Sequence, residues 1–309
     1  MSRAVIYEKF GGPDVLELRE VAERHAGPGQ VRIAVKAAGL NPMDWLISST
    51  PQVAGMFGVS VPAGFGYDFA GVVDEVGPGV EGFAVGDRVF GGAMAKAVAD
   101  FAIVDVPSTS VDALFHTPQG LSDQVASTVP TPGMTAAAAL EAIDVRAGET
   151  VLIGGATGGV GVFAVQLAKL AGARVIGTAS PGTFDFLREL GAEPVAYGPG
   201  LADRVRELAP DGIAAATDLF GTETAEAALE LGVPAERIST IAAGPNPPGG
   251  VRATGGANAG PEALGRITGA IIEGRITVPI AATFPMEQVR TAVELQAGRH
   301  VHGKVLIVM

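Results

Sequence analysis

A chain of 309 residues, 48% hydrophobic and 17% charged, suits two domains, or one large one, and can bury a substantial apolar core. A formal net charge of −12 at pH 7 argues against nucleic acid or an anionic membrane as the main partner, since both need a cationic face. With no cysteine and four histidines, disulfides are excluded and soft ligands for zinc are scarce.

The 44 glycines and 21 prolines are spread between short apolar runs, as turn punctuation is. The opening MSRAVIYEKF lacks the apolar core of a signal peptide. Apolar runs at 151–153 and 161–165 are too short, or too broken by glycine, to span a bilayer. The cytoplasm is the expected location.

Residues 1–115 read as strands and turns. In QVRIAVKAA, residues 30–38, Val31, Ile33, Val35 and Ala37 fall on one face, the period-two pattern of a half-buried strand. Residues 69–92 predict a strand, a Gly-Pro-Gly turn, and further strands around Gly86-Asp87. From about residue 118 the rhythm changes to alternating strand and helix. Strands are predicted at 150–155, 174–178, 195–197, 213–219 and 238–242, with helices at 160–171, 183–190, 201–208 and 222–231. Gly172 and Gly191 sit where helices end. Such alternation implies right-handed crossovers and a parallel, doubly wound sheet. After about Gly250 one helix is expected at 261–273, then strands ending at 304–308 that rejoin the first module.

The strongest chemical signal is Ala156-Thr157-Gly158-Gly159-Val160-Gly161, which follows an apolar strand and opens a helix. Glycines there permit a tight turn and let the backbone approach a pyrophosphate. The helix start adds unpaired N–H groups and a positive dipole. Ala156 replaces the first glycine of G-x-G-x-x-G, so the strand–loop–helix context carries the assignment. An NAD site would place Asp or Glu at the end of the next strand, on the ribose. Here Thr178-Ala179-Ser180 is followed by no acid before Asp185, which permits the 2′-phosphate of NADP(H). Ser180 can donate to that phosphate and can equally cap a helix.

Four segments resemble the zinc-independent, quinone-oxidoreductase-like branch of the medium-chain dehydrogenase/reductase superfamily. They are GLNPMD (39–44), GYDFAGVVDEVGPGVEGFAVGD (66–87), PTPGMTA (130–136) and GATGGVGVFAVQLAK (155–169); the closing HGKVLI (302–307) fits as well. The resemblance implies an α/β protein with a GroES-like β-rich catalytic domain, residues 1–117 with 251–309. A Rossmann NADP(H)-binding domain would span 118–250, and the nicotinamide would lie in a cleft between the two.

In zinc-dependent relatives a cysteine, a histidine and a second cysteine hold the metal. The resemblance puts Asn41, Tyr67 and Thr131 at those positions, a set unsuited to zinc, which takes thiolate, imidazole or carboxylate. Without that Lewis acid, the acceptor should already be electrophilic: a quinone or an α,β-unsaturated carbonyl. Asn41 and Tyr67 would then stand at the hydride end as the catalytic residues. The resemblance also sets Gly133 and Thr135 against the nicotinamide end, and Phe220, Gly221, Ala242 and Ala243 along the cofactor groove. Tyr197 would lie near the adenosine phosphate and Lys304 near the cleft. Relatives carry Lys or Arg just after the position of Ser180; Pro181-Gly182-Thr183 offers none. Asp44 and Asp68 are expected to orient neighbouring groups, because a buried carboxylate would oppose a nascent enolate. Trp45, Met56 and Phe57 are expected either to line an apolar substrate mouth or to pack in the core.

The expected function is therefore an NADPH-dependent reductase of small quinones or enones, with a homodimer as the assembly this reading allows. Two alternatives stay open: an enoyl-type reductase of secondary metabolism, and a non-catalytic NADPH-binding sensor or crystallin-like protein.

Overall fold

A computed structural model describes residues 1–109, 112–244 and 246–309. It divides into two compact units, residues 1–131 with 280–309 and residues 132–279. The expected boundaries at 117/118 and 250/251 are thus displaced. At the first, the carbonyl of Ser127 lies 2.2 Å from where a Cβ on Gly39 would stand, so residues 118–131 lie directly against the antiparallel unit. At the second, the Gln166 side chain accepts from the Thr277 N–H and donates to its carbonyl. This keeps residues 251–279 with the parallel sheet.

The first unit is antiparallel in its main part. Gln30–Leu40 pairs with Asp68–Val76 and with Phe101–Asp105, and Asp68–Val76 pairs with Arg88–Ala93. The predicted face is observed: Val31, Ile33, Val35 and Ala37 are all buried, whereas Lys36 is exposed. The closing strand Lys304–Val308 pairs antiparallel with Gln30–Leu40, Leu306 opposite Gly39, and parallel with Ile280–Pro285. Phe69, Val73, Val89, Val104 and Ile307 are among its fully buried core residues. Full burial of such a side chain contributes roughly 1.5–3 kcal/mol.

Three helices of this unit lie where strands or turns were expected: Pro42–Ser49, Pro51–Met56 and Val289–Ala297. The last buries Val289, Ala292 and Val293, an i, i+3, i+4 stripe too narrow to stand out beside the preceding β-rich run.

The second unit is a six-stranded, wholly parallel sheet. Its order is Glu193–Ala196, Arg174–Ala179, Thr150–Gly154, Ala215–Asp218, Ile238–Thr240, Arg252–Ala253. In chain order this is 3-2-1-4-5-6, a doubly wound sheet that reverses direction beside Thr150–Gly154. Helices Gly161–Leu170, Phe184–Glu189, Leu201–Leu208 and Glu223–Glu230 connect the strands, within one or two residues of the predicted ends. Gly172 and Gly191 have φ of +85° and +90°, a region that suits glycine after a helix. No helix among the described residues is long and apolar enough to cross a membrane.

Candidate functional site

The loop 155–160 leaves the sheet at its reversal point, where open α/β sheets bind ligands. Gly155 has φ +67° and its N–H donates to the Thr178 hydroxyl at 3.0 Å. A Cβ on Gly161 would lie 2.3 Å from the Gly155 carbonyl oxygen, so the helix start closes tightly on the loop. Ala156 is fully buried, and its Cβ lies 2.9 Å from where a Cβ on Gly177 would stand. Ala156 thus packs loop against strand and leaves only its backbone for a ligand. Thr157, Gly158, Gly159 and Val160 are half-buried, and no acidic residue stands in the first turn of Gly161–Leu170. The loop fits a pyrophosphate: small residues, a helix start, and no opposing charge.

Ser180 and Tyr197 follow Ala179 and Ala196, which are partners in the parallel register. They leave the sheet side by side at its carboxyl edge. Ser180 precedes the short turn Pro181–Thr183, and its carbonyl accepts from the Thr183 hydroxyl at 2.9 Å. Its own hydroxyl makes no capping bond to the backbone. Tyr197 is 56% exposed.

Sequence reasoning did not single out Asp218. Its buried carboxylate accepts the backbone N–H groups of Phe220 and Gly221 on one oxygen and of Thr224 and Ala225 on the other. It shapes the Phe220–Gly221 loop and caps Glu223–Glu230. An acid closing a strand a few residues before a helix was the available signal. At the end of the next strand the Thr240 hydroxyl accepts the N–H groups of Ala242 and Ala243, both at 3.2 Å. Thr135 is 8% exposed and sits beside Gly256, with Gly133 buried two residues before it.

In the first unit, a buried polar network occupies the positions of interest. Asp68 is fully buried. Its carboxylate accepts Asn41 Nδ2 at 2.8 Å, the Thr131 hydroxyl at 2.8 Å and the Thr131 N–H at 3.1 Å. Asn41 Nδ2 also donates to the Gly39 carbonyl, and Asn41 Oδ1 accepts from Lys304 Nζ at 2.6 Å. Lys304 Nζ donates in addition to the Leu40 carbonyl at 2.8 Å. Asp44 accepts the N–H groups of Asn41 and Tyr67. Burial pushes both carboxyls up and the Lys304 ammonium down, and attraction between Lys304 and the two acids opposes each shift.

The Tyr67 ring lies against Gly92, where an added Cβ would come within 2.2 Å of Cζ. Its carbonyl accepts the Ala93 N–H. Burial, then the negative charges of Asp68, Asp112 and Asp44, push the phenol up to about 12. It is therefore a neutral donor at physiological pH.

The expectation for Asn41 needs correction. Each polar atom of its amide already has a buried protein partner, so it positions neighbours rather than offering a bond to a ligand. Lys304 likewise has two of its three N–H groups committed within its own unit. Asp44 and Asp68 each accept hydrogen bonds from neighbouring residues, the geometry that an orienting role requires. Trp45 packs on the core and donates to Gln296 Oε1; Met56 is exposed. Asn41, Tyr67 and Thr131 do not fit a zinc ion: Asn41 and Thr131 donate to Asp68, Asn41 also faces the Lys304 ammonium, and Tyr67 is a phenol held protonated. Among the described residues no group of three His, Cys, Asp or Glu could hold a metal.

Comparison with known proteins agrees with this architecture. The family described as alcohol dehydrogenase GroES-like domain matches residues 27–106, and that described as zinc-binding dehydrogenase matches 159–267. The chain is similar to a quinone oxidoreductase of Pseudomonas aeruginosa, 35% identical over 242 residues, covering 76% of this chain and 71% of the relative. The chain belongs to the quinone oxidoreductase branch of the medium-chain dehydrogenase/reductase superfamily.

Solved structures from this superfamily's fold agree over the full length. The mycobacterial protein Rv1454c complexed with NADPH is 26% identical, with a TM-score of 0.82 and 100% of both chains covered. The CurK enoyl reductase is 25% identical, with a TM-score of 0.86, 100% of this chain covered and 99% of the other. The chain also matches the pikromycin polyketide synthase component PikAII of Streptomyces venezuelae at 33% identity, but spans only 8% of that relative's length. Membership of the branch makes the protein an oxidoreductase with a GroES-like part and a Rossmann-type part.

Proposed function

We propose that the protein transfers hydride from NADPH to a quinone or an α,β-unsaturated carbonyl, and does so without zinc. One observation carries this reading: Asn41 and Thr131 both donate to Asp68 while Lys304 stands 2.6 Å from Asn41 Oδ1. By the resemblance, Asn41, Tyr67 and Thr131 would stand where zinc-dependent relatives hold the metal. Here Asn41 and Thr131 are spent as donors to Asp68, and the Lys304 ammonium lies against Asn41.

Bound NADPH would supply the hydride. The N–H groups of loop 156–161 would hold its pyrophosphate, with Ser180 and Tyr197 on the 2′-phosphate. The loops pinned by Asp218 and Thr240, carrying Phe220, Gly221, Ala242 and Ala243, would run along the cofactor; Gly133 and Thr135 would face its nicotinamide end. Tyr67 would donate a hydrogen bond to the acceptor oxygen as charge grows there, an interaction stronger in the transition state than in the ground state. Asn41, Asp68, Thr131 and Lys304 would hold the floor on which that phenol rests. The likeness to an enoyl reductase favours enones among the acceptors.

The test is consumption of NADPH with a simple quinone and a simple enone, before and after extensive chelation. Activity that survives chelation, with kcat/KM favouring NADPH over NADH by about 1–3 kcal/mol, is expected; that is the worth of one or two hydrogen bonds to a charged group. Stoichiometric zinc with activity lost to the chelator would overturn the zinc-free reading. Equal use of NADH would overturn the cofactor assignment.

A further inference from the structure

Tyr197 sits on a loop with unusual support. The Arg204 guanidinium donates from Nε to the Ala196 carbonyl at 3.0 Å, from Nη2 to Gly198 at 2.8 Å and from Nη1 to Pro199 at 2.8 Å. These three carbonyls bracket Tyr197. The loop needs such a clamp, because Gly198 and Gly200 have φ of +95° and +81° and glycine is the most freely rotating residue. Arg204 also differs from its neighbours in charge balance. Within the parallel-sheet unit Arg146, Arg174, Arg188, Arg206, Arg237, Arg266 and Arg275 each face a carboxylate. Among the described residues, Arg204 and Arg252 alone in that unit donate to backbone carbonyls and pair with no acid. Arg252 lies on the strand at the opposite edge of the sheet. Arg204 is therefore the uncompensated cation of the edge where Ser180 and Tyr197 emerge.

We infer that Arg204 determines specificity for the 2′-phosphate, by clamping the Tyr197 loop and by placing a permanent positive charge behind it. This rests on the NADPH reading above. It supplies the cation that the segment Pro181-Gly182-Thr183 lacks. A planar fork reaches three carbonyls at once, which an ammonium cannot do. Donation to carbonyls leaves its full charge available to a nearby dianion, whereas an ion pair would cancel it.

The test is calorimetric binding of 2′,5′-ADP and of 5′-ADP to the intact protein, for wild type, Arg204→Gln and Arg204→Lys. Wild type should bind 2′,5′-ADP more tightly. Arg204→Gln should weaken 2′,5′-ADP about tenfold, the scale of one charge-assisted contact, change 5′-ADP less than about twofold, and flatten the salt dependence of 2′,5′-ADP binding. Arg204→Lys should lose about threefold on 2′,5′-ADP alone, since it keeps the charge but not the fork. If Arg204→Gln does not fold, the Lys variant decides by the same ratio at an unchanged melting temperature. Wild-type discrimination with variants that weaken both ligands equally, or neither, overturns the inference and leaves the NADPH reading intact. A wild type that does not discriminate overturns the NADPH reading itself, and the inference with it.

Discussion

The ammonium of Lys304 stands 2.6 Å from Oδ1 of Asn41, a contact that joins residues 263 positions apart in sequence. It ties the closing strand to the start of helix Pro42–Ser49, while Asp68 holds the other end of the same amide. The buried polar network around Asp68 thus depends on the chain's final strand returning to the first sheet.

Replacing Lys304 by Met should therefore destabilise the protein more than its position near the C-terminus suggests. Two charged hydrogen bonds are lost, and the Leu40 carbonyl and Asn41 Oδ1 are left buried without them. Urea unfolding should show a loss of at least about 1.5–3 kcal/mol, the cost of one such bond. Unchanged stability would mean that the network contributes nothing to holding the strand.

Asp44 makes stability depend on pH in a direction opposite to the usual one. Burial raises its folded pKa to about 7, against about 3.9 in an unfolded chain. The folded state then holds the proton first. This contribution is fully present below about pH 4 and is lost as pH rises toward 7. Asp44→Asn removes it while the one remaining side-chain oxygen can still accept from Asn41. Relative to that variant, wild type should lose stability between about pH 4 and 7, by at most about 1.4 kcal/mol per unit crossed. Parallel melting curves for the two proteins across that range would show that Asp44 is ionised throughout.

Asp218→Ala should affect fold and cofactor together. Four backbone N–H groups lose their acceptor, and loss of a helix cap alone costs about 0.5–2 kcal/mol. The register places Asp218 opposite Gly154. A Cβ on Gly154 would lie 2.3 Å from Thr224 Oγ1, so freeing Thr224 disturbs the strand that leads into the phosphate loop. A lower melting temperature and weaker dinucleotide binding should appear together. Normal dinucleotide binding at a lowered melting temperature would confine Asp218 to capping.

The parallel-sheet unit was largely legible because its signals are local. Apolar strands, helix periodicity and C-terminal glycines such as Gly172 and Gly191 all act within a few residues. The phosphate loop belongs to the same class, being a strand, a glycine run and a helix in immediate succession. What sequence did not reveal is non-local. That Asn41 is saturated follows from Asp68 and Lys304, brought together only by strand pairing. Asp218 and Arg204 are different, because their partners are backbone groups within eight residues. The acid closing a strand before a helix marks Asp218, whereas nothing in the side-chain pattern marks Arg204. The domain boundaries were misplaced because Gly39 against Ser127, and Gln166 against Thr277, are contacts without a change in composition.

Tyr67 is the residue on which the proposed chemistry turns. Its phenol is protonated at neutral pH, held there by burial and by three nearby carboxylates. Its ring is fixed by the absence of a side chain at Gly92, and its backbone by Asp44 and Ala93. A donor fixed in this way need not reorganise as negative charge develops on an acceptor oxygen, and losing one such donor typically costs about 2.7–4 kcal/mol. A quinone gives an aromatic product anion that needs less help than an enolate does. Tyr67→Phe keeps the ring against Gly92 and removes only the hydroxyl, so packing is preserved. The variant should bind NADPH normally and lose kcat with an enone by about that amount, with a smaller loss for a quinone. Gly92→Ala should reproduce the defect by displacing the ring, at an added cost in stability. If Tyr67→Phe turns over both acceptors at the wild-type rate, the phenol is a packing group and the donor must be sought elsewhere.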